Sequence, residues 1–413
     1  MMKIFMRVLL LSIVLFSFNC WAGSEINNSN HTARYFRDMS SSIDPDVIYN
    51  PAGMAFEERN SIAVGIQTIF KDYCSGNPAG CAEGVSLVPD LSVHYRYSDN
   101  LSFTGAYYIV AGGGELDFEE GNALTQAIGA NFTAPSVGGG AITQQNIIVE
   151  AVYHALKAGI VYKASDNIGI AAGIMQVFGT KSIEATIGHT NTFISPQLIN
   201  LNMDQDASGM TGFASIHYKP NKLWDFAANF TGPVRLDWSS DIETNSPAIE
   251  TMIRKDDVRE DLPAVFVLGA KRNFFTDNGN FELKTNLTYY LQSDFGVIWD
   301  DIFAVGSVDN RQESFGDGYE ASLGGTWEPV NSKLKYYAGY LYSNPRADID
   351  TTSKFKPSLV SSTLGLGLDY KLNDNVTLNF GGAATFYNTE TTSGGDELSR
   401  RTYALGTGLQ YHF

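Results

Sequence analysis

The sequence predicts an all-β fold, an antiparallel transmembrane β-barrel of fourteen strands. Two observations predict it: many segments alternate apolar and polar residues with a period of two, and short turns between these segments alternate with long polar links. A strand that crosses a membrane alternates in this way because one face meets lipid and the other faces the lumen. After the N-terminal segment, no run of about 18 apolar residues offers a transmembrane helix.

The composition also favours a large β-structure. The 413 residues include 40 glycines, 21 tyrosines and 25 phenylalanines but only 28 lysines and arginines, and the formal net charge is -17. Ordinary soluble enzymes are less rich in glycine and aromatic residues. A sequence-independent grip on nucleic-acid phosphates needs clustered Lys and Arg, so nucleic acid is excluded as a partner.

Residues 1-22 have the features of a secretory signal peptide. Lys3 and Arg7 precede an apolar run from Val8 to Phe18, and the small residue Ala22 ends the segment. This order of a basic region, an apolar region and a small-residue end predicts cleavage after Ala22 and export of the mature chain.

Three cysteines occur in the chain, the first of them inside the signal segment. Lipidation of Cys20 is an alternative to cleavage after Ala22, but Asn19 is a poor fit to the small residue that precedes a lipidated cysteine. The other two, Cys74 and Cys81, form an even pair in an exported chain, which predicts a disulfide. Metal binding by two thiols without a nearby histidine is the weaker interpretation, and no metal site is predicted.

Each alternating segment predicts one strand. The strands are predicted near residues 62-72, 87-98, 101-112, 146-164, 167-188, 207-220, 223-240, 261-274, 280-298, 315-330, 333-344, 359-373, 375-389 and 400-413. Most of the short connections contain Asp-Asn or Pro-Asn pairs. These pairs form tight turns because Asn tolerates a left-handed backbone and bonds its own main chain.

The connections distinguish a barrel from a soluble β-sandwich, whose strands alternate too. Short turns on one rim and long loops on the other are typical of outer-membrane barrels with an even number of strands. A closed barrel also leaves no unpaired backbone edge in lipid. We therefore expect residues 61-413 to form a barrel in the bacterial outer membrane, surrounded by outer-membrane lipid.

The last strand ends in an aromatic residue. Tyr403, Leu405, Leu409, Tyr411 and Phe413 all lie on one parity of this strand. Such an end resembles the signal that the outer-membrane assembly machinery reads on its clients. We therefore predict this machinery as a partner and Tyr411 and Phe413 as its recognition signal.

A family resemblance begins in the residues that precede the first strand. The segment Asp44-Pro45-Asp46-Val47-Ile48-Tyr49-Asn50-Pro51-Ala52-Gly53-Met54-Ala55 resembles the N-terminal region of the FadL/TodX outer-membrane transporters of long-chain fatty acids and hydrophobic compounds. Asp261-Leu262-Pro263, the stretch from Asp317 to Tyr340, and Leu364 to Asn373 resemble later parts of the same family. The resemblance thus covers most of the mature chain.

This resemblance implies an N-terminal hatch, residues 23-60, that plugs the lumen and contains Asn50, Pro51 and Ala52. It also implies passive transport of long-chain fatty acids or other hydrophobic compounds, with release sideways into the membrane near a strand kink. Gly112-Gly113-Gly114 is our candidate for the kink. An apolar-lined passage gives such solutes contacts that a water-filled pore lacks. An ordinary turn that enters the first strand is the alternative to a hatch.

Strand parity supplies candidate luminal charges. If the apolar series face lipid, seven basic side chains face the lumen, where one or two of them would hold a carboxylate head group: His94, Arg96, His154, His217, Arg235, Lys271 and Lys284. Asp225, Asp237 and Glu282 share this parity, so pairing of luminal charges with one another is the alternative. The family's outer hydrophobic groove implies a further set in the long link 113-145: Leu116, Leu124, Ile128, Phe132 and Ile142.

Enzyme motifs are absent from the sequence. No Gly-x-Ser-x-Gly, His-Glu-x-x-His or phosphate-binding loop occurs, and a barrel lipase built on His154 has no nucleophile signal beside it. We predict no enzymatic activity and no cofactor. A general porin or channel for small polar solutes is the alternative to a transporter that binds a hydrophobic small molecule.

The C-terminal signal is testable by truncation. We expect a chain that lacks Phe413 to cross the inner membrane normally but to insert into the outer membrane more slowly. Pulse-chase labelling, followed by gel migration before and after boiling, measures the insertion rate. Unchanged insertion would remove the role assigned to Phe413.

Overall fold

Fourteen strands form one closed antiparallel barrel. The structure, a computed structural model, describes residues 39–75, 80–135, 138–193, 196–247, 258–259, 261–292, 316–350, 352 and 357–413. The predicted signal peptide, the start of the predicted hatch and the link around residues 299–314 lie outside the described residues.

The barrel is built from short and long strand segments. They are β1 (Ser61–Ser75), β2 (Cys81–Arg96), β3 (Leu101–Phe118), β4 (Ile142–Ser165), β5 (Ile168–His189), β6 (Leu198–Asn221), β7 (Trp224–Thr231), β8 (Asp237–Thr244), β9 (Val258–Arg259), β10 (Ala264–Thr276), β11 (Gly279–Leu291), β12 (Gly318–Pro329), β13 (Leu334–Asn344), β14 (Ser361–Lys371), β15 (Val376–Tyr387), β16 (Glu390–Thr391) and β17 (Glu397–His412). β8 continues β7, β9 precedes β10 on one barrel strand, and β16 extends β15. Pairing of β1 with β17 closes the barrel.

A strand lies at each of the fourteen predicted positions, but the one predicted at 223-240 is interrupted, and the first six extend further toward the long links than predicted. β6 begins at Leu198 rather than near residue 207. In this outer part the polarity of the two faces reverses, because Leu201 and Met203 are buried while Asn202 and Asp204 are exposed. A search for apolar residues on the lipid face therefore misses the outer ends of the strands.

The link predicted at 113-145 is partly regular structure, which corrects that prediction. β3 continues to Phe118, and helix α1 (Ala123–Thr133) follows it. Asn122 caps this helix, because its side-chain oxygen accepts a hydrogen bond from the Thr125 N–H at 3.2 Å. The glycines and threonines in the link obscured the helix in the sequence. Among the residues described, no helix is long and apolar enough to cross a membrane.

The two faces of the wall differ as the alternation predicts. On β11, Leu283 and Leu287 are exposed, whereas Lys284 and Asn286 between them are buried. The same pattern exposes Leu405, Leu409 and other apolar residues around the barrel. Exposed apolar side chains on one face of every long strand are what a lipid-facing surface requires.

One strand is interrupted between β7 and β8. The break contains Gly232 and Pro233, and Pro cannot donate a ladder hydrogen bond. The parity changes across it, because Asp225 and Asn229 are buried before the break and Leu236 after it. The predicted continuous strand 223-240 is therefore wrong, and Arg235 is exposed rather than luminal.

Residues 39–59, which we call the luminal segment, lie inside the barrel. The segment contains two 3₁₀ turns, Ser41–Ile43 and Pro51–Phe56, and these turns contact β3 to β7, β10 and β11. Ile43 and Ala52 are completely buried. Asp44 is among its charged residues, so burial inside the barrel needs compensating partners.

Cys74 and Cys81 are joined by a disulfide at the outer end of the first hairpin. They are directly opposite each other in the β1–β2 register. The hairpin link is therefore much shorter than the predicted link 73-86, because both strands continue to the disulfide.

Replacing both cysteines by serine should destabilise this hairpin without opening the barrel. Closure of so short a loop contributes about 2 kcal/mol to the free energy of unfolding. Denaturant unfolding in detergent micelles measures the loss, with the exposed Ser393→Ala variant as a control. Reactive thiols at these positions in the native protein would contradict the assignment.

Candidate functional site

Asn50 organises the turn at the centre of the luminal segment. Its side-chain oxygen accepts a hydrogen bond from the Gly53 N–H at 3.2 Å, which caps the 3₁₀ turn. Pro51 suits the next position because its fixed φ matches the turn and its missing N–H would be unpaired there. The Asn50 amide nitrogen donates to the Ile43 carbonyl at 3.2 Å and lies 2.7 Å from Nδ1 of His217. Asn50 thus joins the turn to both the preceding residues and the wall.

Small residues allow the turn to approach the wall closely. The Ala52 N–H donates to the Ser215 hydroxyl at 3.0 Å. The Ala52 carbonyl oxygen lies 2.3 Å from the position that a Cβ on Gly169 would occupy. A Cβ on Gly53 would lie 2.9 Å from the Asn50 amide nitrogen. Asn50, Pro51 and Ala52 therefore lie in a packed contact with the wall, not in a free turn that enters β1.

Asp44 connects the luminal segment to the wall through two lysines. Its carboxylate pairs with Lys284 and lies 3.5 Å from the Lys271 ammonium. Lys271 also pairs with Asp225 at 3.1 Å, and Lys284 pairs with Glu282 at 3.2 Å. Both lysines are buried on the inner face, as parity predicts, and they are paired with carboxylates, which was the alternative interpretation.

The Asp44 carboxyl stays ionised in this cluster. Burial raises its pKa, but the Lys284 and Lys271 ammonium groups outweigh that effect and hold the pKa well below its usual range. A carboxyl with a lowered pKa stabilises the folded protein above its ordinary pKa of about 4, and this stabilisation is lost only as the pH falls through the lowered value. The contact is therefore insensitive to mild acid.

A cavity of about 100 Å³ lies between the luminal segment and the wall. Ile48, Tyr49 and Pro51 form its luminal side. The wall side is mostly apolar and includes Tyr108, Val110, Met175, Phe213, Val265 and Val267. An apolar lining with a few polar groups is the usual character of a site for a small hydrophobic molecule.

Lys157 is the one charged residue that lines this cavity in the described part of the chain. Its ammonium donates to the Ile48 carbonyl and lies 4.1 Å from the centre of the Phe213 ring. Lys157 is not predicted from the sequence, because both faces of β4 are apolar there and the parity is ambiguous. The available signal was that Lys157 is the only formally charged residue between Glu150 and Lys163.

Besides Arg235, two of the predicted luminal cations lie elsewhere. His154 is on the outer face of β4 with the exposed Leu156, which corrects its predicted orientation. The physical reason is again the doubly apolar strand, on which Lys157 takes the inner parity. Arg96 lies at the rim with short turns, where it pairs with Asp99 at 2.7 Å and donates to the Glu58 carbonyl at 3.0 Å. Neither residue lines the cavity.

Three of the residues predicted for an outer groove are packed in the core. Leu116, Ile128 and Phe132 are buried in one apolar cluster, and Phe132 stacks on His189 at 5.5 Å. Ile142 is partly exposed and packs near Gly129. The side chain of Leu124 lies outside the described residues. A ligand-binding role for these residues stays a prediction.

The wall has a gap in its hydrogen bonding between β2 and β3. Glu83 pairs with Asp117, and pairing resumes where Leu91 lies opposite Tyr107. The residues between these two positions do not pair. β3 also has bulges against β4 at Ile109 to Ala111 and at Gly112 to Gly114. The irregularity includes the predicted kink, since Gly112 and Gly114 both have positive φ.

β3 bends into the lumen at this gap. The ammonium of Lys71, on the inner face of β1, donates to the Glu115 carbonyl at 2.6 Å. The Glu115 carbonyl oxygen lies 2.3 Å from the position of a Cβ on Gly84. On the outer side, Val85 and Leu87 of β2 have exposed fractions of 59% and 64%. The gap therefore leaves an apolar stretch of β2 uncovered by its neighbour.

A larger polar cleft of about 510 Å³ lies near the outer ends of β4, β5, β6 and β8. Glu150, Asp204, Asp206 and Asp241 line it together with Lys181. A predominantly acidic lining does not suit an apolar molecule or a carboxylate, so the smaller cavity is the better candidate for a hydrophobic ligand.

Comparison with solved structures identifies the fold of this chain. No protein-family model and no curated protein sequence matches the chain. Among solved structures, a Pseudomonas aeruginosa FadL homologue aligns over 97% of this chain and 100% of its own, with 14% identity and a TM-score of 0.72. The fold is that of a FadL-type barrel. The Pseudomonas putida toluene transporter TodX aligns over 96% of this chain and 99% of its own, with 15% identity and a TM-score of 0.60.

The FadL-type fold confirms the predicted resemblance at the level of architecture. The Ralstonia pickettii toluene transporter TbuX also aligns, over 89% of this chain and 93% of its own, with 13% identity and a TM-score of 0.58. Because these identities are low, the side-chain contacts described above are properties of this chain and not inferences from its neighbours.

Removing the Asp44 charge should release the luminal segment from the wall. Breaking a buried ion pair costs about 3 kcal/mol, which corresponds to a roughly hundredfold loss of protection in local opening. We expect Asp44→Asn to raise amide hydrogen exchange in residues 39–59 and to leave the β11 and β12 amides unchanged. The exposed Asp166→Asn variant, which removes a surface ion pair with Lys163, is the matched control. Equal protection in wild type and Asp44→Asn would contradict the role of this cluster.

Proposed function

We propose that this protein is a bacterial outer-membrane transporter of hydrophobic small molecules. The molecule is held in the cavity beside the luminal segment and leaves sideways through the gap between β2 and β3. The observation that carries the proposal is the combination of an occupied lumen with an interrupted wall. The solved structures of similar fold, which include a FadL homologue and toluene transporters, support it.

The contacts of the luminal segment support a hatch. Asn50 contacts β6, Asp44 contacts β10 and β11, and Ser40 bonds Ser322 on β12 at 2.8 Å. Lys157 of β4 bonds Ile48 of the segment. With the segment bound on several sides, an axial path needs several polar contacts to break, whereas the path through the wall leaves them in place. We therefore assign residues 39–59 to the hatch.

The size of the cavity limits which molecules it can hold. An engineered apolar cavity of about 150 Å³ holds benzene, so a cavity of about 100 Å³ encloses only part of a compact hydrocarbon or one end of an alkyl chain. A long-chain fatty acid needs Ile48 and Tyr49 to move, or part of its chain to lie in the gap. Lys157 offers a cation for a carboxylate in either case.

Two substitutions on one strand test the route. Ser86 and Ser92 are both buried on the inner face of β2, but Ser86 lies at the gap and Ser92 where β2 and β3 pair. We expect Ser86→Trp to reduce toluene uptake by expressing cells at least tenfold, because the indole fills the gap. Ser92→Trp should have a much smaller effect. Gel migration before and after boiling verifies that both variants form barrels.

The same cells and purified protein distinguish a transporter from a porin. We expect saturable binding of toluene and low ionic conductance in planar bilayers. Free conductance with the hatch intact and no saturable binding would establish the porin alternative. Equal uptake by the Ser86→Trp and Ser92→Trp variants would refute the lateral route while leaving hydrophobic transport in place.

A further inference from the structure

His154 and Tyr107 form a polar pair on the outer surface of the barrel. The Tyr107 hydroxyl lies 2.8 Å from Nδ1 of His154, and the two rings stack at 5.8 Å with an interplanar angle of 15°. Both side chains are partly exposed. Two aromatic groups held together by a hydrogen bond have little freedom, so the position of the imidazole is defined.

The surroundings of this pair are apolar. Leu156 on β4 and Phe103 on β3 share its face and are exposed, and Phe178 lies opposite His154 on β5. Polar groups on a lipid-facing surface are costly unless something bonds them. A polar partner outside the wall would therefore stabilise the pair.

The pair lies at the edge of the wall gap. Tyr107 pairs with Leu91 at the position where β2 and β3 pairing resumes. His154 lies opposite Ile109, where the first β3 bulge begins. A molecule that passes through the gap thus meets this pair on the membrane side of the wall.

The imidazole has a hydrogen-bonding atom to offer. The hydroxyl of Tyr107 donates to Nδ1 in the tautomer that carries its proton on Nε2. Among the described residues, Nε2 of His154 makes no hydrogen bond, and it is not a buried unsatisfied atom. Nε2 is therefore a donor directed to the exterior.

Lys157 and His154 lie three positions apart on β4 and on opposite faces of the wall. One offers an ammonium to the cavity, and the other offers an imidazole donor to the membrane. A carboxylate head group that leaves Lys157 for hydrocarbon loses its partner, and an unpaired polar group in hydrocarbon is costly. A purely apolar molecule forms no ion pair or hydrogen bond with either group.

We propose that Tyr107 and His154 form a second binding site for the carboxylic head group of an amphiphilic cargo on the membrane side of the gap. This inference rests on the proposed lateral route. It gives the head group of an acid cargo a defined position on the membrane side of the wall, beside the Tyr107–His154 hydrogen bond. The pair accepts the head group after it leaves Lys157.

Uptake of an acid and of a neutral hydrocarbon by the same cells tests this site. We expect His154→Leu to lower octanoic acid uptake at least fivefold and to leave toluene uptake unchanged. Tyr107→Phe should give an intermediate loss, because the imidazole remains but is no longer oriented. His154→Gln retains an N–H donor and should restore part of the acid uptake. Tyr95→Phe, an exposed tyrosine on β2 away from the gap, is the matched control.

A spectroscopic measurement separates this role from simple anchoring at the membrane surface. In nanodiscs, octanoic acid should shift the ¹⁵N resonance of His154 Nε2 in the wild type, and toluene should not. A resonance already shifted by anionic phospholipid and unresponsive to octanoic acid would assign the pair to lipid and overturn the proposal. Unchanged acid uptake in His154→Leu would overturn it too. If cells that express the wild-type protein took up neither octanoic acid nor toluene, the proposed function itself would be refuted.

Discussion

The backbone hydrogen bonds of a wall in lipid constrain the rest of this structure. Every main-chain N–H and C=O group that meets hydrocarbon needs a partner within the protein. Pairing of each strand with its neighbours, closed by β1 with β17, meets this requirement around most of the barrel. Between β2 and β3 the ladder is interrupted, and β3 turns inward so that the Lys71 ammonium binds the Glu115 carbonyl. A side chain thus satisfies a backbone group where the neighbouring strand does not.

The lumen follows a second requirement, that buried charges be paired. Asp44 lies between Lys271 and Lys284, and each lysine has a second carboxylate on the wall. The wall charges therefore keep a partner when the luminal segment moves, which lowers the cost of movement relative to an isolated pair. Lys157 differs, because its hydrogen-bond partner is a backbone carbonyl of the segment and it packs over the Phe213 ring. A negatively charged ligand competes with a neutral acceptor there.

Sequence predicted the barrel and the strand number because lipid imposes a strict alternation on the lipid-facing half of each strand. Lys284 was placed correctly for this reason, since its neighbours on β11 alternate clearly, whereas β10 is apolar on both faces before Lys271. His154 was misplaced because β4 is apolar on both faces, and Arg235 because the break at Gly232 and Pro233 changes the parity. The contacts of Asn50 with His217 join residues far apart in the chain, so spacing could not reveal them.

The chain order of the luminal segment has a consequence for how the molecule is assembled. The segment immediately precedes β1, and β1 pairs with the last strand of the chain. Its two 3₁₀ turns contact β3 through β7 and β10 and β11, in the middle of the sheet. An incomplete sheet has an open side through which the segment reaches these strands, whereas the finished cylinder encloses it. A segment that docks before β17 reaches β1 needs no passage through the end of the barrel, and the final seam then encloses it.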